Sequence, residues 1–446
     1  MNPIVTIVGR PNVGKSTLFN RIAGAPIAIV EDHPGTTRDR VFADVDVLGR
    51  QIALIDTGGL EPEAGSEMGK KINRQIQAAM AESDAVIFVV DVRDGLISAD
   101  REIADSLRKL GKPIVLAANK AETEKLKESS AEFYALGLGD PLAVSAHHGK
   151  GINELLEALL QKLPEAEAEP EEEGARPRLA IVGRPNVGKS MLLNALVGRE
   201  RAIVDSTAGT TRDATDTIVR HDGQDVVLID TAGIRKRGKA GSGLEYYGLV
   251  RTLRAINRCD VALLVMDATE FITAQDTHIA GYIKDACKGI VLLVNKWDLA
   301  DDDLRDEYVA EIDRRMKFVA HAPVLFVSAL TGLAVKKIIP VALEAWGERQ
   351  KQLPDPVIDK LIHTAVQSHA PPPKGTRRLE VFRAYQGGTN PPSFTFLVND
   401  PKLVHFSYER YLENKLRQTF GFSGTSLKLL FKKTSKRSSI SGGKIS

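Results

Sequence analysis

The chain has 446 residues, 43% of them hydrophobic and 26% charged, with a formal net charge of only +2. That length exceeds one ordinary hydrophobic core, so two or three domains are expected. The near-balanced charge excludes a uniformly basic sheath for nucleic acid, and no apolar run approaches the roughly 18 residues of a membrane span.

The first run, residues 4–8, is apolar and leads into Gly9-Arg10-Pro11-Asn12-Val13-Gly14-Lys15-Ser16 and then into a helical pattern. This is the phosphate-loop pattern G-x-x-x-x-G-K-S in its strand–loop–helix setting. Glycines let successive backbone N–H groups turn toward phosphate oxygens, and the following helix N-terminus adds positive potential. Lys15 would reach the β- and γ-phosphates and Ser16 would ligate Mg²⁺.

Further strands are expected at 41–47, 52–55, 85–91, 114–118 and 142–144, mostly separated by helical patterns. Continuous apolar runs such as residues 85–90 suit strands covered on both faces. An α/β doubly wound, mostly parallel sheet follows, with its site at the carboxyl ends of the strands.

The loops at those ends carry a consistent set. The stretch 34–39, Pro-Gly-Thr-Thr-Arg-Asp, offers a hydroxyl to Mg²⁺, and Thr37 is preferred over Thr36. Asp56-Thr57-Gly58-Gly59 follows a strand; its aspartate can hold Mg²⁺ through water, and the Gly59 N–H can sense a γ-phosphate. Asn119-Lys120-Ala121-Glu122 presents a carboxylate that can accept two hydrogen bonds from a guanine edge. Adenine lacks the 2-amino donor and would leave that carboxylate half paired. The Ala146 N–H of Ser145-Ala146 could meet guanine O6. Each motif is common alone; the ordered set, each member at a strand end, is not.

Residues 164–177 contain six glutamates and three prolines without a large apolar residue, as expected of an exposed linker between a first domain at 1–163 and a second at 178–352. The second domain replays the first. Gly183-Arg184-Pro185-Asn186-Val187-Gly188-Lys189-Ser190 repeats the loop 174 positions on, with Lys189 and Ser190 in the phosphate and Mg²⁺ roles. Thr210-Thr211 and Asp230-Thr231-Ala232-Gly233 keep that offset; Thr211 and Asp230 are the Mg²⁺ candidates, and Gly233 the γ-phosphate sensor. Asn295-Lys296-Trp297-Asp298 and Ser328-Ala329 complete the set, with a late insertion around a helix at 303–318. A basic, glycine-rich stretch at 234–243 stands where a mobile switch is expected. The two cysteines, Cys259 and Cys287, read as buried thiols of a reducing compartment. With no signal-peptide pattern at the N-terminus, the expected location is the cytoplasm.

A third segment, 353–433, reads α-β-β-α-β, an α+β module similar to a KH domain. Its G-x-x-G, Gly421 to Gly424, follows a helix and precedes the last strand, so it reads as a helix C-cap and turn, not an RNA clamp. A disordered basic tail, 434–446, is expected to favour phosphate contacts.

The duplicated GRPNVGKS, the PGTTRD and AGTTRD stretches, DTGG and DTAG, NKWD, and Phe396-Leu-Val-Asn-Asp-Pro resemble the Der (EngA) family across nearly the whole chain. The resemblance implies two tandem P-loop GTPase domains around a KH-like domain. It also implies bacterial origin, GTP hydrolysis, a role in assembly of the large ribosomal subunit, and contact with ribosomal RNA. No membrane partner is expected, and the chain is expected to be monomeric. Ras-type enzymes orient water with a glutamine after DxxG; here Leu60 and Ile234 hold those positions and cannot. Asn12 and Asn186 are similar to an asparagine that binds K⁺ in related GTPases, which implies a K⁺ ion in place of an arginine finger. Glu122 stands where the family pattern has aspartate, so the first site is expected to hold guanine more weakly. Met191 replaces a small hydroxyl residue, but only its backbone N–H matters. A small-molecule kinase conflicts with the paired guanine motifs. A dynamin-like remodeller is disfavoured because the sequence shows no amphipathic or apolar anchoring stretch, and a tRNA-modifying GTPase has a single such domain.

Overall fold

The computed structural model describes residues 3–24, 42–48, 50–56, 83–163, 176–199, 201–203, 216–231, 245–374 and 377–434. The chain divides into two compact units, Met1–Glu171 with Gly241–Arg254, and Glu172–Ala240 with Ala255–Ser446.

In the first unit, β1 (Ile4–Val8), β2 (Phe42–Val47), β3 (Arg50–Asp56), β4 (Ala85–Asp91), β5 (Ile114–Asn119) and β6 (Pro141–Ala143) form one sheet. Its order is β2-β3-β1-β4-β5-β6. Only the β2–β3 pair is antiparallel. β4 is buried along its whole length. Its alternate residues feed two cores, Ile87 and Val89 on one face and Val86, Phe88 and Val90 on the other. That two-sided burial is why its sequence is a continuous apolar run. Helices α1 (Lys15–Ala23), α2 (Ser98–Leu110), α3 (Glu124–Ser129) and α4 (Ile152–Lys162) connect the strands. α2 buries Asp100, Ala104 and Leu107, a stripe at helical spacing, and Asp100 also accepts from the Ile97 N–H at its start.

The second unit repeats this plan with β7 (Arg178–Val182), β8 (Arg201–Ile203), β9 (Thr217–His221), β10 (Gln224–Ile229), β11 (Val261–Asp267), β12 (Gly289–Asn295) and β13 (Val324–Phe326). Their order is β13-β12-β11-β7-β10-β9-β8, with the β8 and β9 edge antiparallel. The helices are α5 (Lys189–Arg199), α6 (Glu245–Arg258, of which only the residues from Ala255 on belong to this unit), α7 (Ala274–Asp285), α8 (Arg305–Arg315) and α9 (Ile338–Gln350). Thr273 opens α7 with a reciprocal cap: its Oγ1 accepts from the Asp276 N–H at 3.3 Å, and Asp276 accepts from the Thr273 N–H at 3.0 Å. The expected helix at 303–318 is observed as α8 with a short 3₁₀ turn on each side.

The same unit carries α10 (Asp355–Ser368), β14 (Val381–Gly388), β15 (Ser393–Val398), α11 (Phe406–Phe420) and β16 (Lys428–Lys433), the α-β-β-α-β order read from the sequence. Both helices pack on the three-stranded sheet through Ile358, Ile362, Leu412, Leu416, Phe394 and Phe396. The G-x-x-G turn is used within the protein. Gly421 closes α11, Phe422 is fully buried, and the Gly424 carbonyl accepts from the Ile290 N–H at 2.8 Å. Gly424 N–H donates to the His321 carbonyl at 2.7 Å. Gly424 has φ 66°, and a Cβ there would press on Ala345 and Pro323, so glycine is required twice over. Burial pushes the His321 imidazole down to about 3, so it stays neutral at this junction. Burial likewise pushes the Cys259 thiol up to about 12 and raises that of Cys287.

Arg349, at the end of α9, is 1% exposed. Its Nε donates to Asn390 Oδ1 at 2.9 Å, and its Nη1 donates to the Cys287 carbonyl at 2.9 Å and Thr425 Oγ1 at 3.2 Å. One guanidinium thus ties α9, the end of α7 and the turn before β16. Arg349→Ala strands those acceptors in a buried site, at a cost of about 2–4 kcal/mol. Thermal unfolding followed by circular dichroism should show a clear drop in the midpoint. Arg349→Lys, with one ammonium in place of a fork, should recover only part of it.

Candidate nucleotide sites

Each phosphate loop begins where a buried strand ends, β1 in the first unit and β7 in the second. Asn12 and Asn186 take left-handed backbone (φ 64° and 66°), as do Gly14 and Gly188 (φ 95° and 93°). A Cβ on Gly14 would run into the Asn119 amide, and one on Gly188 into the Asn295 amide. The glycine is therefore set by a close approach as well as by its φ. Lys15 Nζ donates to the Arg10 carbonyl at 2.7 Å; Lys189 Nζ donates to the Gly183 carbonyl at 2.6 Å and to that of Arg184. Both lysines head their helices, beside Ser16 and Ser190.

The two asparagines bind the sites together. Asn119 Nδ2 donates to the Val13 carbonyl at 2.8 Å, and its Oδ1 accepts from the Ala146 N–H at 3.0 Å. Asn295 repeats both contacts at the same distances, to Val187 and from Ala329. Each carboxamide joins the phosphate loop to the loop after the last strand. Beside it, Lys120 Nζ reaches the Asn12 carbonyl at 2.9 Å and Asp91 at 2.5 Å, while Lys296 Nζ meets Asp267 at 2.5 Å. Asp267 is held ionised: despite its burial, the Lys296 ammonium and Thr269 hydroxyl lower its pKa. The last loops are fixed alike, with Ser145 Oγ accepting from His148 N–H at 3.3 Å and Ser328 Oγ from Thr331 N–H at 3.1 Å.

The structure thus brings Asn12, Val13, Gly14, Lys15, Asn119, Lys120, Ser145 and Ala146 together in one unit, and their counterparts in the other. Asp56 ends β3 in a buried position, and Asp230 follows β10 with φ 53°. Thr37, Thr57, Gly58, Gly59 and Leu60 lie outside the described residues, as do Thr211, Ala232, Gly233 and Ile234. Among the described residues there is no group of three or more His, Cys, Asp or Glu side chains able to hold a metal. The loops fit a phosphate ligand, since left-handed residues at Asn12 and Gly14, and at Asn186 and Gly188, turn successive N–H groups inward.

Sequence reading missed Asp91 and Asp267, which look like ordinary strand ends; their recurrence before each motif was the available signal. Arg10 and Arg184, which the sequence places in the phosphate loops, are held by carboxylates that sequence reading did not assign. Arg10 pairs with Asp94 at 2.6 Å and lies 3.4 Å from buried Asp100; Arg184 pairs with Glu270 and lies 3.4 Å from buried Asp276.

Comparison with known proteins fits this geometry. A family model described as "50S ribosome-binding GTPase" matches residues 4–120 and 178–296, and one described as "KH-domain-like of EngA bacterial GTPase enzymes, C-terminal" matches 352–432. The chain is 48% identical over 432 residues to GTPase Der of Clostridium novyi, covering 96% of this chain and 98% of that protein. It is also 48% identical over 441 residues to GTPase Der of Chloroflexus aggregans, with the same coverage. The chain belongs to the Der family of GTPases. As a Der-family protein it is a GTP-binding, GTP-hydrolysing enzyme with two P-loop GTPase domains and a C-terminal KH-like domain. Among the described residues no helix is long and apolar enough to cross a membrane.

Asn295→Ala removes the carboxamide and leaves the Val187 carbonyl and Ala329 N–H unpaired, at a cost of about 2–4 kcal/mol for two buried groups. GDP titration of the full chain should show the second site weakened by well over tenfold. Asn295→Asp, which keeps the acceptor for Ala329, should lose less.

Proposed function

We propose that the protein is a GTP-controlled switch in assembly of the large ribosomal subunit, in the cytoplasm and as a monomer. The observation that carries this is the doubled Asn–Lys scaffold, which prepares two phosphate loops for nucleotide within one chain that also carries a KH-like module. Lys15 and Lys189 would neutralise the β- and γ-phosphates. Ser16, Asp56 and Thr37 would hold Mg²⁺ in the first site, and Ser190, Asp230 and Thr211 in the second. The ion would supply charge neutralisation at the phosphates. Gly59 and Gly233 would report the γ-phosphate. Glu122 and Asp298 would read the guanine edge, with Ala146 and Ala329 at its O6.

The KH-like module offers exposed Lys428, Lys432 and Lys433 along β16. With its G-x-x-G turn committed to protein contacts, RNA binding would follow backbone charge and shape more than base sequence. Purified large subunits should pellet the full chain more strongly with a non-hydrolysable GTP analogue than with GDP, and less as salt rises. Lys189→Ala should lose the nucleotide response while keeping its circular dichroism spectrum. Binding indifferent to nucleotide would refute the switch, and no binding would refute the partner.

Leu60 and Ile234 leave no side chain to orient water after DxxG. The left-handed Asn12 and Asn186 sit within the loops, where a K⁺ ion could serve in place of an arginine finger. Steady-state hydrolysis should rise in K⁺ relative to equal Na⁺, and Asn186→Ala should lessen the difference. Equal rates in the two salts would sink this assignment.

A further inference from the structure

Two cationic side chains and a histidine surround Glu122 in the first site, and among the described residues none has a counterpart in the second. Arg93 Nη2 pairs with Glu122 Oε2. His148 Nε2 lies 3.9 Å from Oε1, and Lys150 Nζ donates to the Glu122 carbonyl at 3.4 Å. At the corresponding positions of the second site stand Thr269, Thr331 and Leu333, around Asp298. The backbone scaffolds match: Arg93 N–H donates to Asp91 Oδ1 at 2.9 Å, and Thr269 N–H to Asp267 Oδ1 at 3.0 Å. The side chains then diverge. Thr269 Oγ1 turns back to Asp267 at 2.7 Å, whereas the longer Arg93 crosses to the Glu122 carboxylate. Among the described residues Asp298 makes no hydrogen bond or ion pair and is exposed.

We propose that Arg93 determines base specificity at the first site by competing with the guanine edge for the Glu122 carboxylate. This rests on the reading of that site as a guanine site. Guanine presents N1–H and a 2-amino group and needs both carboxylate oxygens. Arg93 already occupies one of them, so guanine must displace a guanidinium that Asp298 never meets. Hypoxanthine has N1–H but no 2-amino group, needs one oxygen, and leaves Arg93 in place. The first site therefore discriminates less between GDP and inosine diphosphate than the second. The Arg93 and Glu122 side chains are 52% and 27% exposed, so their pair is a surface pair. Such pairs correspond to roughly two- to fivefold in affinity. Salt screens the pair, so the GDP-to-IDP ratio at the first site should rise with ionic strength while the phosphate contacts cancel.

The test uses the full chain carrying Lys189→Ala, which silences the second site, titrated calorimetrically with GDP and with IDP. Arg93→Ala should tighten GDP by about two- to fivefold and leave IDP unchanged. In a Glu122→Gln background, Arg93→Ala should change neither. An unchanged or weakened GDP affinity in Arg93→Ala, with GDP still bound by the Lys189→Ala parent, would overturn the inference alone. A parent that binds no nucleotide would overturn the guanine-site reading and the inference with it.

Discussion

One carboxamide at the end of a central strand closes each site. Asn119 and Asn295 spend both polar atoms on backbone, the donor on the phosphate loop and the acceptor on the loop after the last strand. Those loops come from segments more than a hundred residues apart, and each carboxamide is nearly fully buried where they meet. Its approach is also what forbids a side chain at Gly14 and Gly188. The glycine and the asparagine are thus one constraint seen from two places in the sequence. Because the carboxamide is consumed in holding the loops, the function proposed above gives base reading to the carboxylate three residues on.

The duplication separates what the fold needs from what each site has specialised. The asparagine distances agree between the units, and so do the lysine–aspartate pairs and the left-handed loop residues. Differences gather at the rim. Asp94 and Glu270 both serve the loop arginine, but Arg93 and Thr269, next to them, do not do the same work. A strand end fixed by Asp91 or Asp267 carries the following side chain to the same place in both units. Its length then decides whether it reaches the carboxylate three residues after the asparagine.

Much of this was legible in the sequence, for physical reasons. β4 occupies the residues anticipated for it, because a strand buried on both faces has sharp compositional ends. Phosphate loops are recognisable because only a few residue types can turn N–H groups inward. The reading was poorest where a residue's role depends on a distant partner. Asp91 is indistinguishable in sequence from any strand-terminal aspartate until Lys120 is seen against it. Arg349 looks like a solvated helix end, yet it is among the most buried side chains because three acceptors from distant segments surround it.

The second unit also limits how nucleotide could influence the KH-like module. β12 touches the module's G-x-x-G turn at Gly289 and Ile290 and ends at Asn295 in the candidate site. A strand of that length spans roughly 20 Å. It is buried along its whole length and hydrogen-bonded on both sides, to β11 and β13. Coupling requires an element with two arrangements whose balance both ends bias. β12 has the reach but not the freedom; sliding it would break ladders on both flanks. It acts as a strut that fixes the module relative to Asn295 and the loops it holds. A nucleotide-dependent response of the kind proposed would then have to enter through segments outside this strut, such as the stretch 234–243 where the sequence leads us to expect a switch.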